Sequence, residues 1–125
     1  MRKTKIILRL LLLLVIITLV DCSQDELTTN QALTLGTWVS LDKSDTLNFT
    51  SGKDLYNSDG YMQHDHYDYQ IFGDSISIRY NGKSYILVKP TMHKYLVDND
   101  NLTIDFSNKQ CYGFGKKVMT YKKEQ

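Results

Sequence analysis

The sequence contains few of the features that would assign it to a catalytic or disulfide-bonded class. Its 125 residues include one proline, two cysteines and one tryptophan. No Gly-x-Ser-x-Gly motif, phosphate-binding loop, His-Glu-x-x-His motif or paired-carboxylate signature occurs. One cysteine closes an N-terminal apolar run, so we expect no disulfide framework. We expect no enzyme activity and no cofactor, and we assign no catalytic residue.

The chain also lacks an excess of charge of either sign. The chain has 15 basic and 14 acidic residues, and the part that follows residue 21 has 11 basic and 13 acidic residues. Binding to nucleic acid needs a clustered basic face, so we expect none. Four lysines near the C-terminus are expected at a solvated strand end, with contact to anionic head groups as the alternative. They are Lys116, Lys117, Lys122 and Lys123.

The only long apolar run lies at the N-terminus, behind a cationic start. Residues 1–5 are MRKTK, and the mostly apolar residues 6–20 are interrupted by Arg9. Eleven residues separate Arg9 from Asp21, fewer than the roughly 20 that a membrane-spanning helix needs. The pattern predicts a secretory signal peptide over residues 1–21. The alternative is an uncleaved membrane anchor over residues 6–20, in which Arg9 extends towards the head groups.

Cys22 lies where this apolar run meets a polar segment. Residues 19–22, LVDC, resemble a bacterial lipobox, with Asp21 at a position that is normally small. The following CSQDE resembles the serine-plus-acidic tether of Bacteroidota-type lipoproteins. The resemblance implies that Cys22 is lipidated and that residues 22–34 form a tether, with a short helical turn near residues 27–33. Two or more acyl chains suffice for stable attachment to a membrane, here the outer membrane or cell surface, with the periplasmic side as the alternative.

From residue 35 to residue 125 the chain has short alternating runs separated by turn residues. These runs predict about eight strands and one domain. Asn81 and Gly82 predict a hairpin turn into a further strand over residues 83–88, which Pro90 would end or bulge. Consecutive strands joined by short turns predict an all-β antiparallel meander, closed into a small barrel. The residues predicted to face its interior are Leu47, Phe49, Tyr67, Tyr69, Ile71, Ile76, Ile78, Tyr80, Leu102, Ile104 and Phe106.

The first strand carries a short motif at its start. Residues 36–38, GTW, resemble the Gly-x-Trp of lipocalins, and the chain looks most like compact lipocalin-like lipoproteins of Bacteroidota over residues 35–123. The resemblance implies a barrel in which Trp38 packs at the closed floor. Lys122 and Lys123 lie where an arginine would cover that tryptophan. A fold alone does not specify a function.

Histidine and aspartate side chains form the densest polar cluster. His64, His66 and Asp68 are two residues apart, so on a strand they share one face. His64 and His66 could bind Zn²⁺ or Cu²⁺ with a further ligand from a neighbouring strand. His-x-His alone lacks a complete ligand set, so we expect a solvent-facing role and no metal. Residues 98–105 contain three aspartates but match no calcium loop, and we expect a tight turn there.

Cys111 lies in a segment rich in glycine and aromatic residues. We expect a buried apolar thiol; the enzyme alternative would need a cleft that joins Cys111 to His93. Gly113 and Gly115 beside aromatic residues suggest a bulge or a close backbone approach.

Two functions therefore remain open at this point. The first is a cell-envelope lipoprotein with a non-catalytic binding role, towards a small apolar or saccharide ligand in the barrel mouth or towards an envelope protein. The alternative is an accessory or inhibitor-like interaction module with a filled barrel and no small ligand. A pocket of a few hundred Å³ with converging polar groups would favour the ligand. A solid interior with an exposed apolar patch would favour the partner.

Overall fold

The computed structural model describes residues 29–59 and 65–125. The predicted signal peptide, Cys22 and His64 lie outside these residues. Among the described residues there is one short helix, α1 (Thr29–Thr34), which lies close to the predicted helical turn. The strands are β1 (Gly36–Ser40), β2 (Thr46–Phe49), β3 (Asp54–Ser58), β4 (Asp65–Phe72), β5 (Ser75–Tyr80), β6 (Thr91–Asp98), β7 (Asn101–Asp105) and β8 (Val118–Lys123).

The eight strands form one closed antiparallel barrel. Each strand pairs with the next along the chain, and β8 pairs with β1 through Trp38 opposite Lys123 and Ser40 opposite Tyr121. Closure pairs every strand on both sides, so the sheet has no exposed edge. The predicted all-β meander barrel is confirmed, and its architecture is that of a small lipocalin-like barrel.

Side chains alternate between the barrel interior and the solvent along the strands, as the sequence pattern predicts. Ile71 is partly buried against the core, and the other predicted interior residues are buried. The side chains of the core that come from strands, each at most 7% exposed, are Trp38, Leu47, Phe49, Leu55, Tyr67, Tyr69, Ile76, Ile78, Tyr80, Leu102, Ile104 and Tyr121.

The predicted hairpin at Asn81 and Gly82 is wrong. Residues 81–90 form a connection without strand structure, and β5 pairs directly with β6, with Ile76 opposite His93. Strand β6 therefore occupies the edge of β5 that residues 83–88 would have needed. Gly82 has another reason to be glycine: a Cβ there would lie 2.3 Å from the Tyr80 hydroxyl.

The barrel has two different ends. The floor end carries α1 and the short connections at residues 50–53, 73–74 and 99–100. The cap end carries the connections at residues 41–45, 81–90 and 106–117. We call residues 106–117 the cap segment, because part of it folds back over the barrel interior.

Candidate functional site

Trp38 closes the floor end of the barrel. Its side chain is fully buried, and its indole N–H donates a hydrogen bond of 2.7 Å to the carbonyl oxygen of Thr34 in α1. The Nζ of Lys123 lies 5.2 Å from the centroid of the ring, a distance at which a cation is attracted to the aromatic face. The predicted floor position of Trp38 is confirmed, and a lysine covers the tryptophan.

The cap segment closes the opposite end with aromatic side chains. Phe114 stacks on Phe106 at a centroid distance of 4.6 Å and contacts Tyr67 at 5.3 Å. Tyr67 also packs edge to face against Tyr80 at 5.4 Å. Phe106, Phe114 and Cys111 are buried. These aromatic side chains therefore cover the cap end of the barrel core.

Gly113 allows the cap segment to approach the barrel. Its φ is +82°, and a Cβ at this position would lie 2.0 Å from the hydroxyl of Tyr67. Only glycine fits both conditions without strain. The expected close backbone approach in this segment is confirmed, and its function is to seat Phe114 over the interior.

Cys111 and His93 share one neighbour, Thr91. The His93 Nε2 lies 2.7 Å from the Thr91 hydroxyl. Burial raises the pKa of the Cys111 thiol, and a hydrogen bond with Thr91 opposes this shift. Burial also lowers the pKa of His93, against the opposing effect of Asp105. Both shifts favour the neutral forms, whereas a nucleophilic cysteine needs a thiolate.

Four buried polar atoms at the cap end have no hydrogen-bond partner among the described residues. They are Asp45 Oδ1, Asn57 Oδ1, the Tyr67 hydroxyl and His93 Nδ1. Such atoms are costly, and natural structures contain few of them. Burial raises the pKa of Asp45, although the Tyr121 hydroxyl donates a 2.8 Å hydrogen bond to its Oδ2 and opposes this shift.

On the outer wall, His66 lies against an aspartate that the sequence analysis did not identify. His66 Nε2 is 2.8 Å from Asp54 Oδ1, and the ring stacks on Tyr56 at 4.9 Å. Asp54 and Asp68 are direct cross-strand neighbours. The pKa of Asp54 is lowered by a hydrogen bond from Ser51 and then by His66. Asp54 was missed because its position beside Asp68 depends on the register of β3 and β4.

Asp54, His66 and Asp68 could each offer one ligand atom, and the three atoms lie within 4.8 Å of one another. The same atoms already have protein partners. Asp68 pairs with Arg79 and accepts a 3.0 Å hydrogen bond from the Asn81 side chain. A cation would have to displace a guanidinium here, so the set suits hydrogen bonding better than metal binding.

The connection at residues 81–90 exposes apolar side chains at the cap end. Tyr85 and Leu87 have relative exposures of 108% and 103%, and Ile86 is 48% exposed. An open groove of about 520 Å³ lies beside them, and Arg79, Tyr80 and Asn81 contribute to its lining. Exposure of this kind on a small protein typically marks a site of interaction.

No helix within residues 29–59 and 65–125 combines the length and the apolar character needed to cross a membrane. No family model, curated protein or solved structure matches the chain.

Proposed function

We propose that this protein is a lipid-anchored module of the cell envelope that binds through its outer surface and catalyses no reaction. The observation that carries this proposal is the filled barrel. Core side chains occupy its interior, from Trp38 at the floor end to Phe114 of the cap segment. Barrels of eight strands can be just wide enough for their own side chains. The proposal therefore favours an interaction module over a carrier with an internal ligand.

The attachment of the chain to the floor end supports the role of the preceding segment as a tether. The Asn30 side chain donates a 3.4 Å hydrogen bond to the Gly73 carbonyl, and Thr34 accepts the indole hydrogen bond of Trp38. The described part of the folded domain begins at α1. The residues between Cys22 and α1 are left to connect the barrel to a lipidated Cys22.

The environment of the one described thiol supports a non-catalytic role. Cys111 is 2% exposed, and the pKa directions at Cys111 and His93 oppose a thiolate–imidazolium pair. A covalent catalyst needs both an activated nucleophile and access for the substrate.

Metabolic labelling with an alkyne fatty acid tests the anchor. We expect the wild-type protein to be labelled and Cys22→Ser to lose the label. Cys111→Ser is the matched control because it removes the other cysteine, and it should retain full labelling. Label that persists in Cys22→Ser would remove the lipoprotein assignment.

A small ligand remains the second candidate, favoured by the open groove beside residues 81–90. Its lining combines tyrosine rings with Arg79 and Asn81, a composition that suits an amphipathic ligand such as a saccharide. Calorimetric titration with oligosaccharides tests it. Saturable binding that is lost in Asn81→Ala would favour this candidate over the interaction module.

A further inference from the structure

Large exposed apolar side chains are distributed unevenly over the barrel. Of nine such residues among the described parts of the chain, Phe72 lies at the floor end and Leu96 on the wall. The other seven lie at or next to the cap end. They are Leu41, Tyr85, Ile86, Leu87, Met92, Tyr112 and Val118.

The most exposed of these residues form a projecting tip. The base of this connection is fixed, because the Tyr80 hydroxyl donates a 3.1 Å hydrogen bond to the Ser84 hydroxyl and Val88 packs against the core. Between these two points, Tyr85 and Leu87 extend into solvent. Fully exposed apolar and aromatic side chains on a connection that is held at its base are suited to insertion into a lipid surface.

Lysines are more numerous than acidic residues on the connections at this end of the barrel. Six exposed lysines lie on the cap-end connections, against Asp42 and Asp45 on the same connections and Asp59 directly after β3. None of the six lysines forms a salt bridge with the described residues. The floor-end connections carry one lysine against two aspartates. Apolar and aromatic side chains ringed by lysine are typical of surfaces that meet anionic lipid. The six are Lys43, Lys83, Lys89, Lys109, Lys116 and Lys117.

We propose that the cap end docks on an anionic lipid bilayer, with Tyr85 and Leu87 at the boundary between head groups and acyl chains. The proposal rests on the proposed function, because the lipid on Cys22 would hold the barrel beside the membrane. Docking would orient the domain, with its cap end against the lipid and its floor end facing away.

The length of the tether permits this orientation. Seven residue steps separate Cys22 from Thr29, and an extended chain of that length reaches about 25 Å. The longest strands have eight residues, which corresponds to about 26 Å along the strand and to less along the axis of a tilted barrel. A fully extended tether of this length is therefore comparable with the length of the strands.

Bromolipid quenching in reconstituted vesicles tests the proposal with the full processed lipoprotein. Tyr85→Trp reports the cap end, and Phe72→Trp is the matched control at the floor end. Both variants retain Trp38, so the background emission is the same. In phosphatidylethanolamine vesicles that contain phosphatidylglycerol, we expect a blue shift and severalfold stronger quenching for Tyr85→Trp. Without phosphatidylglycerol, or with Lys83→Glu and Lys89→Glu together, the excess quenching should be lost.

Equal quenching of the two variants, or stronger quenching of Phe72→Trp, would overturn the proposal. Solvent-like emission from Tyr85→Trp that shifts only when a protein fraction of the envelope is added would also overturn it, in favour of a protein partner. Vesicle flotation of the same samples reports the anchor separately. Protein that floats without quenching at residue 85 contradicts cap-end docking and leaves the anchored module intact, whereas protein that does not float contradicts the anchor.

Discussion

The floor and cap ends of the barrel satisfy their polar groups to different degrees. At the floor end, the Trp38 indole is hydrogen-bonded, and the Tyr69 hydroxyl donates a 2.6 Å hydrogen bond to the Ser51 carbonyl. At the cap end lie all four of the buried polar atoms without a partner among the described residues. Most of the large exposed apolar side chains lie at that end as well.

This difference indicates that the two ends have different roles in the protein. The floor end follows the rules that stabilise a fold, because each of these buried polar groups is paired and its connections are short. The cap end departs from those rules in its interior and on its surface. Natural proteins break such rules mainly where function requires it. This contrast supports the proposal that the interaction role lies at the cap end.

Replacement of Trp38 by alanine should give the largest effect at the floor end. Emptying a large buried aromatic site costs about 3–5 kcal/mol, and a small domain has only about 5–15 kcal/mol in total. Chemical denaturation should show that Trp38→Ala unfolds at a much lower denaturant concentration than the wild type. The tryptophan emission of the wild type should be blue-shifted and should move to the red on unfolding. Leu87→Ala is the control, because Leu87 is fully exposed at the cap end, and its change should be within about 0.5 kcal/mol. A solvent-like emission maximum in the wild type, together with an unaltered denaturation midpoint in Trp38→Ala, would refute the floor assignment.

Gly113→Ala should destabilise the cap end, because it combines a left-handed backbone with a clash against the Tyr67 hydroxyl. Backbone strain alone costs about 1–3 kcal/mol, and the clash adds to it. Gly73→Ala is the matched control, since Gly73 also has a positive φ of +58° but open space around it. We expect Gly113→Ala to lower the denaturation midpoint more than Gly73→Ala.

The Tyr67 hydroxyl allows the same comparison to be sharpened. Tyr67→Phe removes an unpaired buried hydroxyl and the atom that a Cβ at residue 113 would meet. It should therefore rescue part of the loss in the Gly113→Ala, Tyr67→Phe double variant. If the changes in the free energy of unfolding of the two single variants simply add in the double variant, the cap segment does not contact Tyr67 closely.

His93 should make stability at the cap end depend on pH. Burial lowers its pKa in the folded state below the reference value of 6.5, so the unfolded chain binds the proton more readily. Its contribution is then fully present above about pH 6.5 and is lost as pH falls towards the folded pKa. Denaturation between pH 7 and 5 should show this slope, and His93→Gln should flatten it. An unchanged slope in His93→Gln would contradict the burial of a neutral imidazole.

Addition of Zn²⁺ should have the smallest effect of these tests, because we expect no tight binding at Asp54, His66 and Asp68. Stable sites usually need three or four protein ligands, and Asp54 and Asp68 already have partners beside His66. We expect no calorimetric Zn²⁺ binding tighter than about micromolar. A nanomolar titration that disappears in His66→Ala would show that the described cluster, with or without His64, is a metal site.

Features set by alternation could be predicted from the sequence. Leu102, Ile104 and Phe106 lie inside because successive strand residues point to opposite faces. Trp38 could be placed by its motif, and Gly113 by its aromatic neighbours. These features depend on residues that are close in sequence.

Features set by pairing between strands that are distant in sequence could not be predicted from the sequence. Residues 83–88 are apolar enough for a strand, but β6 pairs with β5 instead, and this competition cannot be judged locally. The proximity of Asp54 to His66 follows from the register of two strands. The unpaired atoms at the cap end likewise become visible only when the barrel closes.

Xenon binding tests the filled barrel most directly. For the chain from Thr29 onward, ¹²⁹Xe chemical-shift titration should show no saturable site, because the interior is packed with side chains. Leu102→Ala is the positive control, since Leu102 is fully buried and its truncation should leave an apolar cavity of the kind that takes up xenon. Saturable binding in Leu102→Ala but not in the wild type is the predicted result. Saturable binding by the wild-type protein would contradict the account and favour an internal ligand.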